Sequence, residues 1–162
     1  MDNRFSDFFN KLCDIVDIHL ATDVDCVSQY DVKRYVIDSN LEENFPMICS
    51  ERTDESKYVV DTDESVFLNS QTHSGNWLII GDMEEPICIC CLKTNMTCLE
   101  IDVFEISEMY RGFGYARKVV ESIEQAIKDI YDGMIVNPFD YSSESFWEHM
   151  GFVKYNDKTF VK

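Results

Sequence analysis

The segment Arg111-Gly112-Phe113-Gly114-Tyr115-Ala116 joins a strand-like run to a helix-like run, and that placement gives it chemistry. The first turn of a helix carries unpaired N–H groups at the positive end of the peptide dipole, which suits a phosphate anion. Gly112 and Gly114 have no Cβ to keep a diphosphate off the main chain, and Ala116 keeps the first turn slim. The segment is neither of the two common phosphate loops. No Lys-Ser/Thr pair follows it, and the spacing is not Gly-x-Gly-x-x-Gly. Short Gly-x-Gly turns also occur without any ligand, so the flanking elements must decide. Just upstream, Glu100, Asp102 and Glu105 lie on the run 97–106. Strand alternation projects Glu100 and Asp102 from one face, opposite Leu99, Ile101 and Val103. Acids so placed suit recognition of a cation; the alternative is solvated strand charge.

The elements that must position these residues are legible in part. Phe5, Phe8, Phe9, Leu12, Ile15 and Val16 recur at helical spacing and predict an amphipathic helix over 4–19, capped by Asp2 or Asn3. Its stripe reads as core, with a partner-binding groove as the other reading. A second helix is predicted over 25–39, and the polar, acidic stretch 40–75 reads as loop or short irregular elements. Strands follow at 77–80, 87–93 and 97–106, with turns at 82–86 and 94–96, which predicts an antiparallel meander. The helix after the glycine turn, 115–130, buries Val119, Ile123, Ala126, Ile127 and Ile130 and is closed by Gly133. The apolar run 134–136 reads as an inner strand, parallel to its predecessor through a helical crossover. A last helix over 143–150, stopped by Gly151, precedes a hairpin of 152–155 and 159–161.

Composition narrows the function classes. A chain of 162 residues with 45% hydrophobic content is expected to form one domain with a real core. The net charge of −17 is uneven: residues 1–95 carry 19 acids and 7 bases, residues 96–162 carry 12 and 7. So acidic a surface repels nucleic acid and attracts cations, unless it serves solubility alone. No apolar run approaches the ~20 residues of a membrane span, and the N-terminus lacks a signal-peptide pattern, so a cytoplasmic location is expected. Among the seven cysteines, no CxxC pair or nearby His completes a tetrahedral metal set. Cys88 and Cys90 should face one side of their strand and Cys91 the other, which fits buried free thiols better than a zinc site.

Taken together, strand, Arg-x-x-Gly-x-Ala turn, helix, apolar strand and a helix ending in Phe146-Trp147-Glu148-His149-Met150-Gly151-Phe152 resemble the GNAT superfamily of acyl-CoA-dependent N-acyltransferases. The family's pyrophosphate motif is met by Arg111, Gly114 and Ala116, with Tyr110 before the arginine; its last-helix signature is met by Phe146, Trp147, Gly151 and Phe152. The clear resemblance covers residues 77–162. It implies an α/β (α+β) fold with a mixed, mostly antiparallel central sheet flanked by helices, and two parallel strands splayed around the cofactor. It implies one domain, with 1–75 as a helical, variable acceptor-side region and 76–162 as the cofactor-binding core.

The resemblance further implies acetyl-CoA as donor, a primary amine as acceptor and no metal. The splayed strands would be 97–106 and 134–137, bringing Asn137 to the cofactor. Amides of Arg111, Gly112, Phe113, Gly114, Tyr115 and Ala116 would hold the pyrophosphate. Main-chain groups of Phe104, Glu105 and Ile106 would pair with pantetheine, and Arg117 or Lys118 would reach the 3′-phosphate or simply sit on an exposed helix face. An alkylammonium, with a pKa of about 10.4, must lose a proton before it attacks a thioester. Glu100 and Asp102 are candidate bases, with Glu105 as the alternative. Where many members carry a tyrosine as the acid for the departing thiolate, this chain has Trp147, whose indole cannot usefully deliver a proton. Tyr141 or Ser143 would take that place, or the thiolate leaves unaided, or catalysis is absent; Trp147 would then pack against the cofactor arm. Two functions follow: an N-acetyltransferase for a cationic small molecule or a protein amine, or a non-catalytic binding protein that docks a basic partner.

Overall fold

A computed structural model describes residues 2–49, 75–138 and 141–162. Helix α1 (Asn3–Leu20) starts where the Asp2 carboxylate accepts from the Phe5 N–H, and ends at Ala21 in the left-handed conformation. Strand β1 (Val24–Val27) follows, then helix α2 (Gln29–Asp38), capped by the Ser28 hydroxyl. The sequence reading placed a helix from residue 25. The correction has a local cause: Ser28 supplies the N-cap, and residues 24–27 instead pair antiparallel with residues 77–80.

The meander β2 (Asn76–Gly81), β3 (Pro86–Asn95) and β4 (Cys98–Ile106) forms as expected. Helix α3 (Tyr115–Ala126) is shorter than the expected span to residue 130; it closes at Ile127, and turns with a left-handed Asp129 carry the chain on. Gly133 therefore does not end the helix. It sits at the foot of β5 (Met134–Val136), where a Cβ would come within 2.7 Å of the Lys162 carbonyl oxygen. Helix α4 (Tyr141–His149) and the hairpin β6 (Val153–Lys154) and β7 (Phe160–Val161) complete the described chain. The strands form one sheet in the order β1-β2-β3-β4-β5-β7-β6, with β4 and β5 parallel and the other neighbours antiparallel.

Each face of the sheet carries its own core. Leu78, Ile80, Cys88, Cys90, Leu92, Leu99 and Ile101 pack with α1, α3 and α4. Trp77, Ile79, Ile89, Cys91 and Val103 pack with α2 and with the turns at 41–49, whose Leu41, Phe45 and Ile48 are buried. Cys88 and Cys90 thus face away from Cys91, as alternation requires. Val103 departs from the reading. It lies on the face opposite Leu99 and Ile101, because β4 holds one extra residue, Asp102, between the pairs Leu92↔Ile101 and Cys91↔Val103.

Phe8 is fully buried between Phe5 and Tyr131, at centroid distances of 5.3 and 6.2 Å, and so fastens α1 to the segment after α3. Phe8→Ala is expected to destabilise the fold by about 3–5 kcal/mol, the usual cost of emptying an aromatic site. Urea unfolding checks this; a loss under about 1 kcal/mol would mean that the site collapses around the gap.

Candidate functional site

The parallel pairing of β4 and β5 is brief. Leu99, Glu100 and Ile101 face Met134, Ile135 and Val136, and β4 then runs on to Ile106 with β3 as its one strand partner among the described residues. Two local features open this wedge. The extra residue at Asp102 strengthens the twist of β4. On the other side, Asn137 precedes Pro138, which lacks the N–H needed to extend a ladder. The wedge is closed on the α4 face by aromatic rings: Phe104 lies 5.9 Å from Phe146 and 5.4 Å from Trp147, centroid to centroid. Trp147 also meets Phe146 and Phe152 edge-on and is buried. It is a packing residue.

Beyond β4, a 3₁₀ turn (Glu108–Tyr110) leads into the glycine turn. Gly112 and Gly114 have φ of +84° and +82°, which only glycine adopts without strain, and Gly114 is the N-cap of α3. Among the described residues, no side chain caps that helix end. Apart from its chain neighbours, a Cβ at either glycine would meet no atom of the described residues within 4 Å. The protein's own packing therefore does not demand glycine there; the backbone conformation does, and it leaves open space over the first-turn amides. Phe113, between them, is 72% exposed. Arg111 is held down: its Nε donates to the Ile106 carbonyl at 3.0 Å, and its guanidinium reaches Glu105 at 3.0 Å and Glu108 at 3.6 Å. The guanidinium of Arg117 donates to the His149 carbonyl at the end of α4, and the Lys118 ammonium lies over the Tyr115 ring.

The three strand acids occupy different settings. Glu100 lies where β4 and β5 are still paired, and both its oxygens are engaged, one by the Lys93 ammonium and one by the Asn95 amide, each at 3.0 Å. Asp102 is the bulge residue, the first beyond the last β4–β5 pair, on the face of Cys91 and Lys93, whose ionisation it influences. Glu105 is 2% exposed and turns to the α2 face, where its carboxylate accepts from the amides of Met47 and Ile48, both at 2.8 Å, and from Arg111. Burial pushes its pKa up to about 7, against the opposing pull of those three donors.

Of the remaining expected residues, Asn137 accepts a hydrogen bond from the Thr159 hydroxyl at the wedge's β5 side, and Ser143 is half-buried in the first turns of α4. The Tyr141 side chain lies outside the described residues, as do residues 50–74, most of the stretch read as loop. Met47 and Ile48 were not foreseen, because they act through main-chain amides that side-chain chemistry cannot flag. Among the described residues, no group of three His, Cys, Asp or Glu is placed to hold a metal ion, and no helix is long and apolar enough to cross a membrane.

The sequence profile of the acetyltransferase (GNAT) family matches residues 39–152, so the chain belongs to that family. No curated protein sequence matches it. A GNAT-family acetyltransferase from Staphylococcus aureus Mu50 aligns with 11% identity over 87% of this chain and 98% of its own, with a TM-score of 0.53. YhhK from E. coli, solved with coenzyme A bound, gives 11%, 87%, 97% and 0.53. The smu.2055 protein of Streptococcus mutans UA159 gives 11%, 86%, 98% and 0.55. At these identities the likeness establishes the fold: a mixed sheet, mostly antiparallel, flanked by helices.

Because the Glu105 carboxyl titrates above its ordinary 4.5, the folded chain holds this proton more tightly than the unfolded chain. Its contribution is therefore greatest below about pH 4.5 and is lost as pH rises through about 7. The stability difference between wild type and Glu105→Gln, from urea unfolding at several pH values, is expected to shift against the wild type over that window. A shift in the other direction would mean that the three donors outweigh burial.

Proposed function

We propose that the chain is an N-acetyltransferase that moves an acetyl group from acetyl-CoA to a primary amine of a cationic small molecule or a protein. The observation that carries this reading is the uncapped, glycine-opened N-terminus of α3 beside a wedge between parallel strands. Acetyl-CoA would supply the activated thioester. The amides of residues 111–116 would bind its pyrophosphate, and the Phe104, Glu105 and Ile106 main chain, with Asn137 and Ser143 opposite, would line its pantetheine arm. Lys118 is better placed than Arg117 to meet a further phosphate, since Arg117 is committed to α4. On this reading 1–162 is one domain, with 1–75 on the acceptor side, and the acidic surface draws cationic amines rather than nucleic acid.

Asp102 is the base this geometry favours. It stands just past the last β4–β5 pair, whereas Glu100 lies where the two strands are still paired. Glu105 has a titration range suited to a base, but it spends both oxygens on Met47, Ile48 and Arg111. Geometry decides before pKa. Asp102 would take the proton from the incoming ammonium, and the Ile106 N–H region would polarise the carbonyl under attack. Tyr141 or Ser143 is the remaining hydroxyl source for the departing thiolate.

Asp102→Asn is expected to lower kcat by about 10²–10⁴-fold while acetyl-CoA still raises the melting temperature. Release of free thiol with a panel of amines is the assay. Gly114→Ala, at φ +82°, takes on strain of about 1–2 kcal/mol and is expected to weaken CoA binding about tenfold or more in calorimetry, where each tenfold is about 1.4 kcal/mol. The packed Trp147, which offers no hydroxyl, favours a second reading: a non-catalytic protein that docks a basic partner. Acetyl-CoA binding without turnover of any amine would select it.

A further inference from the structure

Glu105 makes connections that the proposed chemistry does not use. Its Oε2 accepts from both the Met47 N–H, at 2.8 Å, and the Arg111 guanidinium, at 3.0 Å, while Oε1 accepts from the Ile48 N–H at 2.8 Å. Met47 and Ile48 belong to the segment between α2 and the undescribed residues. Arg111 opens the glycine turn. One carboxylate thus bridges two parts of the chain separated by more than sixty positions.

The rest of the contact supports this bridge. The Glu108 N–H donates to the Asn44 carbonyl at 2.9 Å, joining the same segment to the same turn a second time. Arg111 is fastened from the strand side by the Ile106 carbonyl. Among the described residues, the charged and titratable groups near the carboxylate are Arg111 itself, Glu108 on the far side of Arg111, and the Cys49 thiol from the segment, which Glu42 also influences. Arg111 is the cation that compensates this buried anion. Its side chain is 43% exposed, so it also stands at the edge of the turn that would hold a diphosphate.

We propose that Glu105 is a positioning residue: its carboxylate holds the glycine turn, through Arg111, and the acceptor-side segment, through Met47 and Ile48, in one fixed relation across the wedge. Resting on the acetyltransferase reading, this makes the donor and acceptor subsites share a hinge point. Displacing the carboxylate moves both at once. Glutamine at this position keeps one acceptor oxygen and turns an amide N–H₂ toward at least one of three donors, so it cannot satisfy both sides. Aspartate keeps the charge but is one methylene short, and it can serve either side only in part.

The test is an NMR and kinetic comparison of wild type, Glu105→Gln, Glu105→Asp and Arg111→Lys. In Glu105→Gln the backbone amide signals of Met47 and Ile48 and those of Gly112 and Gly114 are expected to move together. The KM values for acetyl-CoA and for the amine are expected to rise about tenfold each, equivalent to about 1.4 kcal/mol, with a smaller change in kcat. Glu105→Asp should fall between wild type and Glu105→Gln on each measure. Arg111→Lys leaves the Met47 and Ile48 donors in place, yet should shift their signals through the shared Oε2; it keeps the test open if Glu105→Gln does not fold. The proposal is overturned if a folded variant moves Met47 and Ile48 while Gly112, Gly114 and the acetyl-CoA KM stay as in wild type. A wild-type protein that neither binds nor turns over acetyl-CoA would instead sink the acetyltransferase reading, and the four amide signals would then decide the coupling alone.

Discussion

The extra residue at Asp102 is the constraint on which the site depends. Without it, alternation would carry the pattern of Leu99 and Ile101 straight through β4. Phe104 would then turn toward α2, and the Glu105 carboxylate would point into the apolar core under α1 and α3. With it, Leu99, Ile101 and Ile106 share one core, with Phe104 packed against it, while Val103 belongs to the other and Glu105 reaches Met47 and Ile48. The same residue marks where β5 stops following β4. A single insertion therefore sorts an aromatic ring to the α4 side and a carboxylate to the α2 side, and together with Pro138 it opens the wedge between the strands.

That constraint was hidden in the sequence. Leu99-Glu100-Ile101-Asp102-Val103 reads as flawless alternation, so the period alone placed Val103 on the wrong face. What was legible were the features with strong local signatures: the meander with its tight turns, the α1 stripe, and the glycine turn entering α3. Strand β1 escaped because four residues before a serine cap are too few for periodicity to separate strand from helix. The turns at 41–49 fit the expected irregular stretch, but their part in the core and site was not legible, because Leu41, Phe45 and Ile48 sit among polar, acidic residues and Met47 and Ile48 contribute main-chain donors that any residue except proline could offer.

The electrostatics follow from these positions rather than from the net charge. A chain with 31 acidic residues could not bury one of them without local compensation. Glu105 has that compensation in two amides and a guanidinium, and Glu100 has it in Lys93 and Asn95. The cysteines show the opposite case. Burial lifts the Cys49 thiol to about 12, with Glu105 and Glu42 adding repulsion, and burial together with Asp102 lifts Cys91 further. These thiols stay protonated at neutral pH and behave as small apolar groups. Sulfur nucleophiles at those two positions are therefore poor candidates for the chemistry; on the proposed reading the acceptor amine would attack the thioester directly.

Direct attack also bears on Trp147. A simple thiol has a pKa near 8.5, so at pH 7 a thiolate leaving without a proton costs only about 2 kcal/mol relative to a thiol. The departing group thus gains modestly from a hydroxyl acid. The incoming ammonium is some three units above neutral and gains more from a base. An acid on the departing side is then the part most easily given up, and packing has a claim on that position. Trp147 bridges Phe104 on β4, Phe146 on its own helix and Phe152 beyond it. It closes the wedge on the α4 face with an area that tyrosine could not match. On the proposed reading, a wall in place of a proton donor is a small loss in chemistry, because Asp102 would carry the larger task.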